Sequence, residues 1–159
     1  MNIKVYNKLK QIWPCSDTVL STTFGIEIHQ DGMEIDQLTY HIDDLILHKY
    51  FSEIWQPKLK KFKFSGLRLI EEVNALNPRA VLDVGCGYNE FKGKIHNLIG
   101  LDPYNHHADL RIKIEDYITT DKFDVILCLG SINFGSHDKI VKELTVCANL
   151  LANGGKMFF

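Results

Sequence analysis

The sequence contains no long hydrophobic run and few prolines. None of its segments approaches the ~18 consecutive apolar residues of a membrane-spanning helix, and the first residues, MNIKVYNKLKQIW, lack the apolar core of a signal peptide. With only 4 prolines and a 45% hydrophobic share, the 159 residues do not have a disordered composition. We therefore expect a folded cytoplasmic protein of about one domain that does not enter a membrane.

An excess of charge of one sign is also missing. Lysine and arginine together number 18 and the acidic residues 20, so the net charge of −2 does not indicate a polyanionic partner. A local basic strip alternates lysines with apolar residues. It favours a solvated connector over a weak contact with nucleic acid, because lysine runs are usually solvated. Its lysines are Lys58, Lys60, Lys61 and Lys63.

The cysteines are few and widely spaced. They form no C-x-x-C pair and three lie inside apolar segments, which predicts buried thiols rather than disulfides or a metal site. His106 and His107 are adjacent, and neighbouring side chains on a strand point to opposite faces, so a metal site there is disfavoured. The four cysteines are Cys15, Cys86, Cys128 and Cys147.

Short apolar runs recur in the second half of the sequence, with helical or loop segments between them. They lie at residues 80–84, 98–101, 123–129 and 155–159. Runs of this kind are typical of parallel strands that are buried on both faces. The pattern therefore indicates an α/β core.

The first 64 residues have a different rhythm. Residues 24–35 alternate apolar with polar around Asp31-Gly32, which predicts a β-hairpin. Residues 41–55 have a wide apolar stripe at helical spacing, which predicts a mostly buried helix. No flexible linker follows, so we expect residues 1–64 to pack on a core of residues 65–159, as an extension or a substrate lid.

A glycine-bearing turn follows the first predicted strand. Residues 81–89 read VLDVGCGYN, and the glycines at 85 and 87 let a ligand approach the backbone. A dinucleotide fingerprint would need a third glycine where Glu90 stands, so nicotinamide and flavin dinucleotides are disfavoured. The charges of Asp83 and Glu90 would instead attract a sulfonium or ammonium group.

LDVGCGYN resembles motif I of the class I S-adenosylmethionine-dependent methyltransferases, in which an acid on the first strand precedes a G-x-G-x-G loop. Asn89 replaces the last glycine, a mild departure because asparagine tolerates left-handed backbone. Asp102 ends the next apolar run nineteen residues after Asp83, close to the ~20 usual for a ribose-binding acid. The strand and helix that follow residue 123, and the Leu-x-x-Gly-Gly segment after them, are also similar to the family.

The resemblance covers residues 66–159 and implies a Rossmann-like α/β fold. The implied parallel sheet has strand order 3-2-1-4-5 and helices on its faces. Its third strand would lie around residues 108–114, and the helix after the fourth strand would span about residues 137–151. Only residues 90–96 separate the glycine turn from the second strand, which leaves room for a helix of one or two turns.

The resemblance also implies a site for S-adenosylmethionine, with S-adenosylhomocysteine as the product. The glycine turn would pass along the methionine part of the cofactor, and Asp102 would hold the ribose. Asp116 and Tyr117 would bind the adenine, and Gly130 would lie near the transferred methyl. The implied cofactor-binding residues are Asp83, Gly85, Cys86, Gly87, Asp102, Asp116, Tyr117 and Gly130.

Each of these acids also has an ordinary structural role open to it. Asp83 would bond loop amides, Asp102 would be a turn residue before Pro103, and Asp116 would be a solvated acid. His137 is a candidate base, although loop histidines are more often only solvated. No D-P-P-Y or N-P-P-Y tetrapeptide follows the fourth strand, which disfavours methylation of exocyclic amines of DNA bases.

The sequence ends inside the predicted fifth strand. An exposed sheet edge is an aggregation hazard that proteins normally cover. We expect a longer parent protein, with cover by the N-terminal hairpin or by a second subunit as the alternatives. Three functions stay open: a methyltransferase with an unidentified acceptor, a non-catalytic S-adenosylmethionine-binding or scaffold module, and another S-adenosylmethionine-using enzyme such as an aminopropyl transferase or a lyase.

Overall fold

A parallel sheet forms the centre of the computed structural model, which describes residues 51–52, 64–132 and 137–159. Its strands pair in the order β2-β1-β3-β4, and every pairing is parallel. All four residues of strand β1 are buried, Asp83 among them, as expected for a strand covered on both faces. The strands are β1 (Val81–Val84), β2 (Leu98–Leu101), β3 (Phe123–Leu127) and β4 (Leu151–Phe158).

Of the α-helices in the described ranges, one packs on each face of this sheet. Helix α1 (Leu69–Ala75) follows a 3-10 turn and buries Val73 in one hydrophobic cluster. Helix α2 (His137–Leu150) buries Cys147 and Leu150 in a second cluster, which includes alternate residues of the strands. The predicted α/β architecture is therefore confirmed. Within the described ranges, no helix is long and apolar enough to cross a membrane.

The predicted third strand is wrong as a strand. The observed order matches 2-1-4-5 of the predicted 3-2-1-4-5, but residues 108–114 contribute only a single bridge, between Leu110 and Leu101. The carboxylate of Asp109 accepts a hydrogen bond from the Gly100 amide at 2.8 Å. A neighbouring strand would need the Gly100 amide as a donor to its own backbone. Because the Asp109 side chain accepts from that amide instead, the pairing with β2 does not extend beyond the bridge.

The segment before β2 forms consecutive turns rather than the short helix that the resemblance implies. The amides of Lys94 and Ile95 both donate to the carbonyl oxygen of Phe91. Gly93 then adopts a φ of +75°, in the left-handed region, which interrupts helical repetition. The chain therefore turns back toward the sheet within a few residues.

The N-terminal predictions lie almost wholly outside the described residues. This applies to the hairpin of residues 24–35, to the lysine strip, and to the helix of residues 41–55 except positions 51 and 52. His48–Phe134 and Asp138–Phe159 form one compact unit, to which all described residues except His137 belong. The boundary between residues 64 and 65 stays a prediction.

Candidate functional site

Polar side chains gather where β1, β2 and β3 end. Because these strands are parallel, their carboxyl ends share one edge of the sheet, and open α/β sheets bind ligands there. We call this place the carboxyl edge. It comprises the glycine turn (residues 85–89) after β1, Asp102 after β2, and Gly130 and Ser131 after β3.

The amides of the glycine turn are already engaged within the protein. Gly85 and Cys86 donate to the carbonyl oxygen of Leu101 at 2.8 and 2.9 Å. The Gly87 amide donates to Asp102 Oδ2 at 2.9 Å. A phosphate-binding turn presents such N–H groups to its ligand instead. The turn is therefore not an anion cradle, in agreement with the sequence argument against dinucleotides.

Asn89 occupies the position where the family motif has its last glycine. Its φ is +55°, in the left-handed region that asparagine tolerates. Its side chain donates from Nδ2 to the carbonyl oxygen of His107 at 3.0 Å, and its buried Oδ1 has no hydrogen-bond partner. A Cβ added to Gly100 would lie 2.7 Å from this Oδ1 and 2.9 Å from the sulfur of Cys86. Asn89 thus ties the glycine turn to β2 and to the loop that follows β2.

Asp83 is a buried acid on β1. Only 4% of the residue is exposed, and no hydrogen bond from another described residue reaches its carboxylate. Burial, followed by the charge of Asp102, raises the pKa of Asp83 to about 7. An unpartnered buried carboxylate is costly in a folded protein, so this group indicates a place for a cationic or hydrogen-bond-donating ligand.

The side chain of Asp102 stabilises the turn that follows β2, which is one of the two roles that the sequence analysis left open for it. Its Oδ1 accepts from the amides of Tyr104 and Asn105 at 2.7 and 2.9 Å, and its Oδ2 accepts from Gly87. Each carboxylate oxygen has two lone pairs, so Oδ2 retains one for a ligand hydroxyl. The turn role and the implied ribose role are therefore compatible.

The electrostatic environment of the turn is acidic. Burial raises the pKa of the Cys86 thiol, and the charges of Asp83, Asp102 and Asp109 raise it further. Asp109 is paired with Lys92 at 2.7 Å, whereas neither Asp83 nor Asp102 forms an ion pair in the part of the chain that the structure describes. The uncompensated charge favours a cationic ligand.

The residues implied for adenine binding lie in and after a 3-10 turn, Ile114–Asp116. Asp116 is exposed, and the amide of Tyr117 donates to Ile114 at 3.3 Å. One buried oxygen of Glu115 has no hydrogen-bond partner, a feature the sequence did not single out. Across residues 64–132, no hydrogen bond or ring contact joins Asp116 or Tyr117 to Asp102.

After β3, the space beside Gly130 is empty, whereas the side chain of Ser131 packs against the glycine turn. Gly130 has a φ of +73° and nothing within 4 Å of an added Cβ. The Cβ of Ser131 lies 2.3 Å from where a Cβ on Gly85 would be, and its buried Oγ has no hydrogen-bond partner. Sequence reasoning missed Ser131, because only the parallel pairing of β1 with β3 brings it against the turn. His137 is exposed at the first residue of α2.

The premise used for His106 and His107 is wrong. They lie in a turn rather than on a strand, and their ring centroids are 4.1 Å apart. Among residues 51–52, 64–132 and 137–159, no three His, Cys, Asp or Glu side chains converge as a metal site. The thiols of Cys128 and Cys147 are free and buried.

Two solved structures share the fold. The N-methyltransferase NodS from Bradyrhizobium japonicum WM9, in complex with S-adenosylhomocysteine, is 16% identical with a TM-score of 0.51, over 75% of this chain and 70% of that chain. The sugar N-methyltransferase KedS8 from Streptoalloteichus sp ATCC 53650 is 18% identical with a TM-score of 0.52, over 83% of this chain and 56% of that chain. No protein-family model and no curated protein matches the sequence.

At these identities the likeness concerns the fold alone. It agrees with the sheet order and with the glycine turn and acids that carried the resemblance in the sequence. The chain spans just over half the length of KedS8 and a larger share of NodS. The chain has the class I methyltransferase fold.

Proposed function

We propose that the carboxyl edge binds S-adenosylmethionine and that the protein transfers the methyl group to an acceptor still to be identified. One observation carries the proposal. Asp83, a buried acid that no other described residue reaches with a side-chain hydrogen bond, precedes a glycine turn whose first three amides are engaged within the protein. This edge attracts a cation and offers no anion cradle, in a fold shared with two methyltransferases.

The methionine part of the cofactor would lie along Gly85, Cys86 and Gly87. Its ammonium group would donate to Asp83, which supplies the missing partner and lowers the electrostatic cost of that buried charge. The free lone pair of Asp102 Oδ2 would accept from a ribose hydroxyl.

The remaining cofactor contacts follow from the resemblance. Asp116 and Tyr117 would bind the adenine, with the unpaired oxygen of Glu115 as an additional acceptor beside them. The open backbone at Gly130 would leave space near the transferred methyl.

When bound, S-adenosylmethionine would supply an electrophilic methyl carbon on its sulfonium for a lone pair of the acceptor, with S-adenosylhomocysteine, a neutral thioether, as the leaving group. The residues of this chain would contribute positioning and desolvation, without a covalent enzyme intermediate. A base is needed only when the acceptor must lose a proton. His137 stays the candidate for that role.

The first test is calorimetric titration of the chain with S-adenosylmethionine, S-adenosylhomocysteine and, as a control, NAD. We expect saturable binding of both sulfur ligands and none of NAD. Asp102→Ala removes the acceptor of three backbone amides and the ribose contact, so it should weaken binding at least about a hundredfold. Asp121→Ala, at an exposed acid in a loop, is the matched control. Absence of binding to a folded parent chain would refute the proposal.

Product analysis distinguishes the functions that share this site. Incubation with amines and amino sugars should yield a methylated acceptor and S-adenosylhomocysteine; this panel is chosen because NodS and KedS8 are N-methyltransferases. Binding without turnover over a broad acceptor panel would favour a non-catalytic module. Formation of methylthioadenosine or a lactone would indicate another S-adenosylmethionine-using enzyme.

A further inference from the structure

Strand β4 contains a bulge where it pairs with β3. Phe123 pairs with Leu151, and the next residue of β3 with a partner, Val125, pairs with Lys156. A single residue of β3 therefore stands opposite the β4 residues 152–155. Residues in excess of the partner strand leave the ladder of backbone pairing. We call residues 152–155 the β4 bulge.

Asn153 and Gly154 are the exposed residues of the β4 bulge. Gly154 has a φ of +76°, in the left-handed region, and an added Cβ there would meet no atom within 4 Å. At Gly155, by contrast, an added Cβ would lie 3.0 Å from the carbonyl oxygens of Ala152 and Asp124. The bulge is therefore packed against β3 at Gly155 and open to solvent at the two residues before it.

An asparagine followed by a glycine is a chemically labile pair. The backbone nitrogen of the glycine, once deprotonated, attacks the side-chain amide carbon of the asparagine, and a succinimide forms as ammonia leaves. Glycine permits this because it has no Cβ to hinder the approach and adopts backbone conformations closed to other residues. Water then opens the succinimide at either carbonyl, which gives aspartate or isoaspartate.

Asn153 differs from the other asparagines of the chain. It is followed by glycine, and no other asparagine in the sequence is. The side chains of Asn74, Asn97 and Asn105 are held by hydrogen bonds to backbone groups. Asn149 is exposed, but it lies in the regular backbone of α2 and precedes a leucine. Asn153 therefore combines a labile neighbour with an exposed and irregular backbone.

We propose that Asn153 is a modification site, at which attack by the Gly154 nitrogen converts the asparagine to aspartate and isoaspartate. The reaction consumes one water, releases one ammonia and involves no oxidant or reductant. Each event replaces a neutral amide by a carboxylate, so the formal net charge changes from −2 to −3. Isoaspartate also lengthens the backbone by one methylene, within the bulge rather than in the paired part of β4. The inference is independent of the proposed function.

The test is incubation of the full chain at mildly alkaline pH, both folded and unfolded in guanidinium chloride. Isoelectric focusing follows the added charge. Mass spectrometry of tryptic peptides assigns it to a residue, and electron-transfer fragmentation separates isoaspartate from aspartate. The variants are Gly154→Ala and Asn153→Gln, with Asn149→Gln as the matched control at an exposed asparagine of the same peptide. Circular dichroism verifies that each variant is folded.

We expect aspartate and isoaspartate at residue 153 of the folded parent and an unchanged residue 149. Because the bulge lies outside the ladder, the folded rate should be within about tenfold of the unfolded rate. Gly154→Ala should slow the reaction at least about tenfold in both states. Asn153→Gln should remove the isoaspartate, and Asn149→Gln should leave the parent's rate unchanged.

Three results would overturn the inference. A folded rate more than about tenfold below the unfolded rate would mean that the sheet constrains the β4 bulge after all. Equal modification of residues 149 and 153, or aspartate formed without isoaspartate, would mean that the Gly154 nitrogen is not the nucleophile. An Asn153 that stays intact in both states would show that the pair is not labile in this chain.

Discussion

Asp124 and Asp83 lie on the neighbouring strands β3 and β1, one where its strand begins and the other where its strand ends. Hydrogen bonds from the side chain and the backbone amide of Arg79 lower the pKa of Asp124 to about 2. Burial without a partner raises the pKa of Asp83 to about 7. An aspartate carboxylate therefore has hydrogen-bond donors at the amino end of the strands, where Asp124 lies, but none among the described residues at the carboxyl edge, where Asp83 lies.

The difference agrees with the ligand site proposed at the carboxyl edge. The carboxyl edge also holds the unpaired Oδ1 of Asn89 and the unpaired Oγ of Ser131. Each such group is costly in the free protein and becomes favourable when a ligand supplies its partner. The Arg79–Asp124 pair is a structural ion pair on the surface and offers nothing to a ligand.

The largest expected effect comes from neutralising the unsatisfied acid with Asp83→Asn. The folded pKa of Asp83, about 7, lies above its ordinary 3.8, so the folded state holds the proton more tightly. The contribution of Asp83 to the stability of the parent chain should be greatest below about pH 4 and fall as the pH rises to about 7. Above that pH, the variant should be more stable than the parent by up to about 4 kcal/mol.

Urea unfolding over about pH 4 to 8 measures this difference, with Asp121→Asn as the exposed control. The variant should lose most of the pH dependence while the control retains it. Parallel profiles for parent and Asp83→Asn would show that Asp83 is not held as the structure indicates.

A smaller effect is expected when the contact between the glycine turn and β2 is broken with Gly100→Ala. The added Cβ would lie 2.7 Å from Asn89 Oδ1, so the turn must shift. We expect a loss of about 1–3 kcal/mol in stability and weaker binding of S-adenosylhomocysteine. Gly93→Ala is the control, since it meets no atom and introduces only backbone strain at a φ of +75°. Equal affinities in the two variants would contradict the role given to Asn89.

The smallest effect is expected at the satisfied acid, with Asp124→Asn. The pair with Arg79 is largely exposed to solvent, so only a slight loss of stability is expected at neutral pH. Because the folded pKa is lowered, that difference should be present at neutral pH and disappear as the pH falls toward about 2. Thermal unfolding of parent and variant would show it. A change in cofactor affinity would contradict the separation of the two ends of the strands.

Much of the fold follows from local patterns in the sequence. Short apolar runs predicted the four observed strands, although β4 begins at Leu151 rather than at residue 155, and the family resemblance implied α2. The acids Asp83 and Asp102 could be singled out because their spacing is fixed by one strand, one turn and the next strand; their role in binding a ligand stays a prediction. Properties of this kind depend on neighbours along the chain.

The features that the sequence did not predict depend on side chains distant in sequence. The carboxylate of Asp109 takes the amide of Gly100 and prevents a full third strand. Ser131 meets Gly85 only because β1 and β3 pair. The hydrophobic pattern of a segment does not show which side chain will take a given amide or which strand will pair beside it.

The central claim is that the carboxyl edge holds an unsatisfied acid for a cationic ligand. Calorimetric titration with S-adenosylhomocysteine at about pH 7, in buffers of different ionisation enthalpy, counts the protons that binding releases. Asp83 is then about half protonated, so its pairing with the ligand's ammonium should release roughly half a proton, and Asp83→Asn should release none. Binding without proton release, or equal release by parent and variant, would contradict the account.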